Sequence, residues 1–465
     1  MSGVIEYIKQ LPGVRHVHQE RWFGVLLRPY HFLLAFFAAL KYGFPSRRMT
    51  VIGVTGTKGK TTTSNVIAEI LESSGRKTGL ATTVNFRIGE KEWVNDTKQT
   101  MLGRFALQKL LRDMADAGCR YAVIETSSEG IAQYRHRFID YDIAVFTNLS
   151  PEHIERHGSF EKYRDAKRKL FAQVAKKKTG IGIYNLDDPN AEYFVSAGPK
   201  NSLGYSLEVS QKAEDLAQKY SMLYFPVLDV SVKMSKSKFT IGKDGYETTL
   251  VGEFNVRNAV EAFCVGMALD VPIKKIQHAL QATRGIAGRF EIVNAGQQFT
   301  IVVDYAHEPA SLEAVYKATR LFKPKNLICL LGAQGGGRDV WKRKAMGKIA
   351  GDHCDQIILT NEDPYDEDPM NIINDIDKGI AERIKKFKPV YKIPDRRDAI
   401  RKALLVAKKD DAVLLTGKGG EVWMCIEKGR KIAWNERHVV ETIIAEEASQ
   451  LLTRSSRSTR YDRGE

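Results

Sequence analysis

Residues 51–63, VIGVTGTKGKTTT, carry the strongest chemical signal in the sequence. A β-branched run passes into glycines and then into three consecutive threonines. Gly56 and Gly59 let backbone N–H groups approach phosphate oxygens, and a helix N-terminus beyond them adds positive potential. Thr55, Gly56, Thr57, Lys58, Gly59, Lys60, Thr61 and Thr62 therefore read as a phosphate cradle. In it, Lys60 reaches the β- and γ-phosphates of a nucleoside triphosphate and Thr61 binds Mg²⁺. Val54 stands where the usual P-loop has its first glycine, so the match is to TGTKGKT. A phosphate loop does not by itself define a reaction; other residues must say what the phosphate is for.

Such a loop needs a strand before it and a helix after it. Short apolar strands are predicted at 50–55, 121–126, 142–149 and 180–186, with helices at 62–74 and 102–117 between them. This alternation is βαβ grammar and predicts a doubly wound α/β domain. A second series follows, with strands at 299–305, 326–331, 356–360 and 412–416 and helices at 310–321, 370–387 and 397–408. It predicts a second, Rossmann-like α/β domain. The organisation is thus a short basic and apolar segment (1–48), a central nucleotide-binding domain (49–288), a C-terminal domain (289–448) and a disordered polar tail (449–465). Residues 283–289, TRGIAGR, form the hinge.

At 465 residues, with 43% hydrophobic and 27% charged residues, the chain has the composition of a soluble globular protein. Its formal charge of +15 suits anionic partners. No basic-aromatic repeat marks nucleic acid as one of them. Cys119, Cys264, Cys329, Cys354 and Cys425 are scattered with no zinc spacing, so neither disulfides nor a metal framework is expected, and a reducing cytoplasm is. Nothing marks an oligomerisation surface, and a monomer is expected. Residues 22–40 are mostly apolar, but Arg28, Pro29 and His31 leave an uninterrupted run of only 32–40, too short to span a bilayer. The segment reads as a helix packed on the body or as one lying at a membrane surface, with Trp22, Tyr30 and Tyr42 at headgroup level.

The loop resembles that of the Mur ligases and folylpolyglutamate synthetases. VIETSSEGIAQYR (123–135), FTNLSPEHIERHGSFEKYRDAKRKLF (146–171), GEFNVRNAVEA (252–262), GIAGRFE (285–291), VVDYAHEPASLE (302–313), GGGRDVWKRKAMG (335–347), NEDPYDEDP (361–369) and GKGGE (417–421) follow in the family's order. Together they are most similar to the Mur ligases that add a third residue to a UDP-linked muramoyl dipeptide. The resemblance implies an ATP- and Mg²⁺-dependent amide ligase that makes an acyl phosphate from a carboxylate and lets an amine expel phosphate. Lys60, Glu125, His153 and Lys167 then carry the catalysis, with Thr61, Glu125, His153 and a carbamylated Lys167 as metal ligands. Asn255, Asn258, Arg289, Asp304, Tyr305 and His307 fall at nucleotide positions. Ser127, Gln133 and Arg135 fall on the side of the nucleotide-sugar peptide; Arg338, Glu362, Asp363, Gly417 and Glu421 complete the substrate set. An ATPase that has lost ligation is the reading from a different class.

The departures are informative. Ligases of this family that add diaminopimelate carry D-N-P-R, whose arginine pairs with the distal carboxylate. Here Glu362-Asp363-Pro364-Tyr365 stands in its place, so a cationic side chain such as that of L-lysine or ornithine is the expected substrate. Glu129 and Gly420 replace two family histidines, and residues 97–101, TKQTM, replace the familiar substrate segment. Only about 48 residues precede the core, fewer than a UDP-binding domain needs. The acceptor is therefore expected either to carry UDP held differently or to lack it, as a polyglutamate-like acceptor would.

Overall fold

In the computed structural model, residues 21–152, 154–337, 339–383 and 388–461 are described. His153, Arg338 and residues 1–20, 384–387 and 462–465 lie outside the described residues, and with them the roles expected of those two side chains.

Strand Thr50–Thr55 (β1) is central in an eleven-stranded sheet, between parallel neighbours Tyr121–Glu125 (β2) and Tyr141–Phe146 (β3). β1 has its apolar side chains Val51, Ile52 and Val54 fully buried, as a strand covered on both faces requires. Helix Lys60–Ser73 (α2) and helix Glu253–Ala268 cover one face; helices Arg104–Asp116 and Phe160–Val174 cover the other. Antiparallel pairs close both edges: Asn85–Ile88 with Lys91–Val94, and Lys236–Ile241 with Asp244–Thr248.

The C-terminal sheet has six strands. Thr300–Asp304 (β4), Ala412–Thr416, Leu327–Leu331, Gln356–Leu359 and Val390–Lys392 run parallel, and Glu291–Val293 is an antiparallel edge. The doubly wound α/β class and the second Rossmann-like sheet are therefore as the sequence reads.

Two local features, a disulfide and the last helix, differ from the sequence reading. Cys329 and Cys354 form a disulfide, with Cα atoms 6.0 Å apart, where none was expected. Their spacing of 25 residues carries no local signature; sheet register brings Leu327–Leu331 beside the strand that follows Cys354. Helix Arg21–Lys41 (α1) is the helix expected over 22–40, and it continues through Pro29 at the cost of one backbone hydrogen bond. It packs on helix Arg104–Asp116 through buried Ala35, Ala38 and Ala39. The last helix, Glu436–Tyr461, covers most of the tail read as disordered; Val440 and Ile443 anchor its start. No described helix is long and apolar enough to cross a membrane.

Candidate active site

Strand register gathers the motifs. Val54 pairs with Glu125 and Thr55 with Phe146, so the loops after β1, β2 and β3 open at one sheet edge. That is the C-terminal edge, where open α/β sheets hold ligands. In the second sheet Asp304 pairs with Thr416, which sets the DYAHE and GKGGE loops side by side. Between the two edges lies a cavity of about 950 Å³.

The phosphate loop is pinned from beneath. Thr57 N donates to Asn148 O at 2.9 Å, Lys58 N to Asn148 Oδ1 at 2.9 Å, and Thr147 Oγ1 to Lys58 O at 2.6 Å. Gly59 has φ +83°, and a Cβ there would come within 2.4 Å of Asn258 Oδ1, so glycine is required for both reasons. Thr57, Lys58, Gly59, Lys60, Thr61 and Thr62 face the cavity; Thr55 and Gly56 lie below it. Thr61 Oγ1 donates to Glu125 Oε2 at 2.9 Å, and Thr83 N donates to the same oxygen at 2.8 Å. Lys60 Nζ donates to Thr57 O at 2.7 Å. Burial pushes the Lys60 ammonium below its ordinary range, against the pull of Glu125 and Glu152.

Lys167, on helix Phe160–Val174, is buried beneath the loop rather than on the cavity wall. Its Nζ donates to Gly56 O at 2.6 Å and lies 4.6 Å from the centre of the Tyr163 ring. Burial first, and then the nearby Lys60 charge, hold it well below the ordinary lysine range. The C-terminal domain meets this cluster directly. Lys58 Nζ lies 3.1 Å from Glu152 and 3.6 Å from Glu308, and His307 Nε2 lies 3.4 Å from Glu152. Burial alone would lower Lys58, but Glu152 and Glu308 outweigh it and hold Lys58 above its ordinary value. A cleft so dense in ammonium groups and oriented N–H donors fits an anionic ligand whose charge grows during reaction.

For Mg²⁺, Thr61 and Glu125 supply two hard oxygen donors facing the loop, and phosphate oxygens and water complete such sites. Among the described residues no group of three or more His, Cys, Asp or Glu side chains could hold a metal alone. Thr61 and Glu125 beside the phosphate loop fit a cation that arrives with its nucleotide.

Asn255, Asn258, Arg289, Asp304, Tyr305 and His307 all line the cavity. Asn258 Nδ2 donates to Asn255 Oδ1 at 3.0 Å, and the Arg289 guanidinium stacks 4.3 Å from the Tyr305 ring centre. Asp304 accepts from Phe290 N and Ala306 N, both at 2.7 Å, and so fixes the hinge-side turn. Burial raises its carboxyl above the ordinary range despite Arg289.

Ser127, Gln133 and Arg135 line another wall. Ser127 caps helix Ser128–Ala132, and Arg135 donates to Gln133 Oε1 and Gln99 Oε1. Arg135 also donates to Met101 O, and its guanidinium lines the cavity near the Glu129 carboxylate. Asp363 and Glu421 line the third wall. Glu362 does not: its carboxylate is buried behind Gly417, which also lies off the wall, and makes no hydrogen bond among the described residues.

Four charged residues here were not found from sequence. Glu152 is next to the motif histidine and Glu308 ends DYAHE, so proximity was the available signal. Lys98 and Lys418 pair with Asp363 and Glu421 at 2.5–3.0 Å, and nothing local announced it.

Comparison with known proteins agrees with this geometry. Residues 54–266 match the Mur ligase middle domain and residues 288–419 the Mur ligase glutamate ligase domain. The chain is 39% identical over 429 residues to a UDP-N-acetylmuramyl-tripeptide synthetase from Roseiflexus sp. (strain RS-1), covering 89% of this chain and 82% of the relative. It is 36% identical over 421 residues to a UDP-N-acetylmuramoyl-L-alanyl-D-glutamate–2,6-diaminopimelate ligase from Geobacillus kaustophilus (strain HTA426), with the same coverage of 89% and 82%. A solved diaminopimelate ligase of that name superposes with TM-score 0.58 at 30% identity, covering 86% of this chain and 79% of the other. The chain therefore belongs to the Mur ligase family, as an ATP-dependent, ADP-forming peptide ligase of peptidoglycan synthesis.

Proposed function

We propose that this ligase adds a diamino acid, L-lysine or ornithine, to a UDP-N-acetylmuramoyl-dipeptide-like acceptor. The observation that carries this is the third wall. Tyr365 stands where an arginine would be needed for a distal carboxylate, and Asp363 and Glu421 face the cavity beside it.

Each chain residue then has a task. The loop N–H groups and Lys60 hold the triphosphate, and Arg135, Ser127 and Gln133 orient the acceptor carboxylate toward the γ-phosphate. The carboxylate oxygen takes the phosphoryl group and ADP leaves. The incoming α-amine attacks the acyl carbon, loses a proton, and phosphate departs as the amide forms. Mg²⁺, when bound at Thr61 and Glu125, neutralises phosphate charge. Lys58 and His307 bridge the domains through Glu152 and limit water access to the acyl phosphate. Burial favours Lys167 as a neutral amine, the form that adds CO₂, which supports carbamylation there.

The deciding experiment is ATP-dependent phosphate release with UDP-N-acetylmuramoyl-L-Ala-D-Glu and a panel of L-lysine, ornithine and diaminopimelate, with mass detection of the product. An amide with L-lysine or ornithine supports the reading. Product with diaminopimelate alone overturns the pocket assignment, and no product points to an acceptor without UDP. Loss of turnover in Lys167→Ala with rescue by a small carboxylate supports the carbamate.

We also infer a membrane-surface contact through α1, supported by an apolar row on its outward face: Tyr30, Leu33, Phe37 and Leu40.

A further inference from the structure

Lys98 has no part in the reaction described above. It lies in the central domain with φ +55°, a left-handed conformation that lysine holds only where neighbours enforce it. Asn95 enforces it here. Its Oδ1 accepts from Thr97 N at 3.0 Å and from Thr97 Oγ1 at 2.6 Å, and its Nδ2 donates to Gln99 O at 2.9 Å. The turn aims the Lys98 side chain across the domain gap. Nζ donates to Asp363 Oδ2 at 2.9 Å and to Glu421 Oε2 at 3.0 Å. Trp423 Nε1, also from the C-terminal domain, donates to Asp96 O at 3.1 Å and ties down the same turn.

The two ammonium groups in this pocket differ. Lys418 is fully buried and its Nζ reaches three acceptors: Asp363 Oδ1 at 2.8 Å, Glu421 Oε2 at 2.5 Å and Trp423 O at 2.8 Å. It is a fixed counter-ion within its own domain. Lys98 comes from the other domain, remains 16% exposed and lines the cavity. Burial works to lower its ammonium, but Glu421 and Asp363 hold it above the ordinary lysine range. The seat itself counts two carboxylates and two ammoniums, so it is neutral while Lys98 is in place. Withdrawing Lys98 leaves one net negative charge and one vacated ammonium position.

We propose that the Lys98 ammonium is a built-in occupant of the amino-acid pocket, seated between Asp363 and Glu421 where the distal ammonium of the incoming diamino acid displaces it. This rests on the diamino-acid reading above and adds the residue that sets the selectivity. Exchange of one ammonium for another keeps the buried carboxylates paired throughout. An apolar side chain entering the same space would strip Asp363 of a partner and supply none, which is costly at a buried charge. Selectivity thus comes from competition with Lys98 as well as from attraction. The same exchange removes the Lys98 tie between the domains and leaves the Trp423–Asp96 hydrogen bond to hold the turn.

Two substitutions in the full chain test this through steady-state KM for L-lysine, ATP and acceptor. Lys98→Met keeps the stem and removes the competitor, so KM for L-lysine should fall about ten-fold. Lys98→Arg offers a fork that holds the carboxylates more tightly, so KM for L-lysine should rise, while KM for ATP stays unchanged in both. Thermal melting establishes that both variants fold. Opposite movement of the two KM values is the signature, because damage to a purely structural contact would raise both. If the unmodified chain forms product with L-lysine and Lys98→Met leaves KM unchanged or raises it, Lys98 is a fixed wall and the proposal fails alone. If the unmodified chain makes no product with any diamino acid, the functional reading fails and takes this proposal with it.

Discussion

Lys58 Nζ and Glu308 Oε1 lie 3.6 Å apart across the cleft, one on the phosphate loop and the other at the start of the C-terminal helix Pro309–Arg320. Glu308 has two duties. Its side chain also caps that helix, accepting from Ser311 N at 3.0 Å and Ala310 N at 3.2 Å. The duties separate by substitution. Glu308→Gln keeps an acceptor for the cap and removes the charge, so melting should change little while KM for ATP rises. Glu308→Ala should lower stability by about 1 kcal/mol in addition, the usual cost of losing a cap. Equal loss of stability in both variants would mean that the ion pair, rather than the cap, is the stabilising contact.

Glu261 should make the central domain sensitive to pH. It is buried against the phosphate-loop helix α2, accepting from Thr63 Oγ1 at 2.5 Å and Tyr205 OH at 2.7 Å. Burial raises its carboxyl to about 7, well above the usual carboxylate range, although both hydrogen bonds pull the other way. The folded chain therefore holds this proton more tightly than the unfolded chain does. The resulting stability is fully present below the ordinary carboxylate pKa and is lost as pH rises through about 7. Its size is on the order of 3 kcal/mol. Melting temperature across pH 4.5 to 8 should therefore contain a falling component that Glu261→Gln removes. An unchanged profile in that variant would refute the assignment.

What the sequence made legible follows the range of the interactions. The β1–loop–α2 unit was readable because its strand, glycines and threonines are contiguous, and Gly59 needs its backbone freedom whatever surrounds it. Asp304 and Glu421 were readable as motif members. Their meeting in one cleft was not, because it depends on the Asp304–Thr416 register between strands far apart in the chain. The Lys98–Asp363 pair spans 265 positions, and no local pattern could announce it. The Cys329–Cys354 disulfide escaped for the same reason. The helix over 22–40 was legible despite Pro29, because its apolar run is local; that Ala35, Ala38 and Ala39 would be its buried side was not.

Helix α1 shows what burial on one side leaves on the other. While those alanines pack inward, Tyr30, Leu33, Phe37 and Leu40 remain 44%, 50%, 53% and 53% exposed. Their spacing of three, four and three residues puts them in one row along the helix. Lys41 and Arg47 follow at its C-terminal end, and apolar rows flanked by basic residues are attracted to anionic lipid surfaces. The full chain should float with vesicles containing phosphatidylglycerol. Leu33→Glu combined with Phe37→Glu should weaken that partition by about 100-fold or more. ATP turnover should not change in this variant, since neither side chain reaches the cleft. Equal flotation of the two proteins, or failure of both to float, would exclude the lipid surface and leave the row to a protein partner.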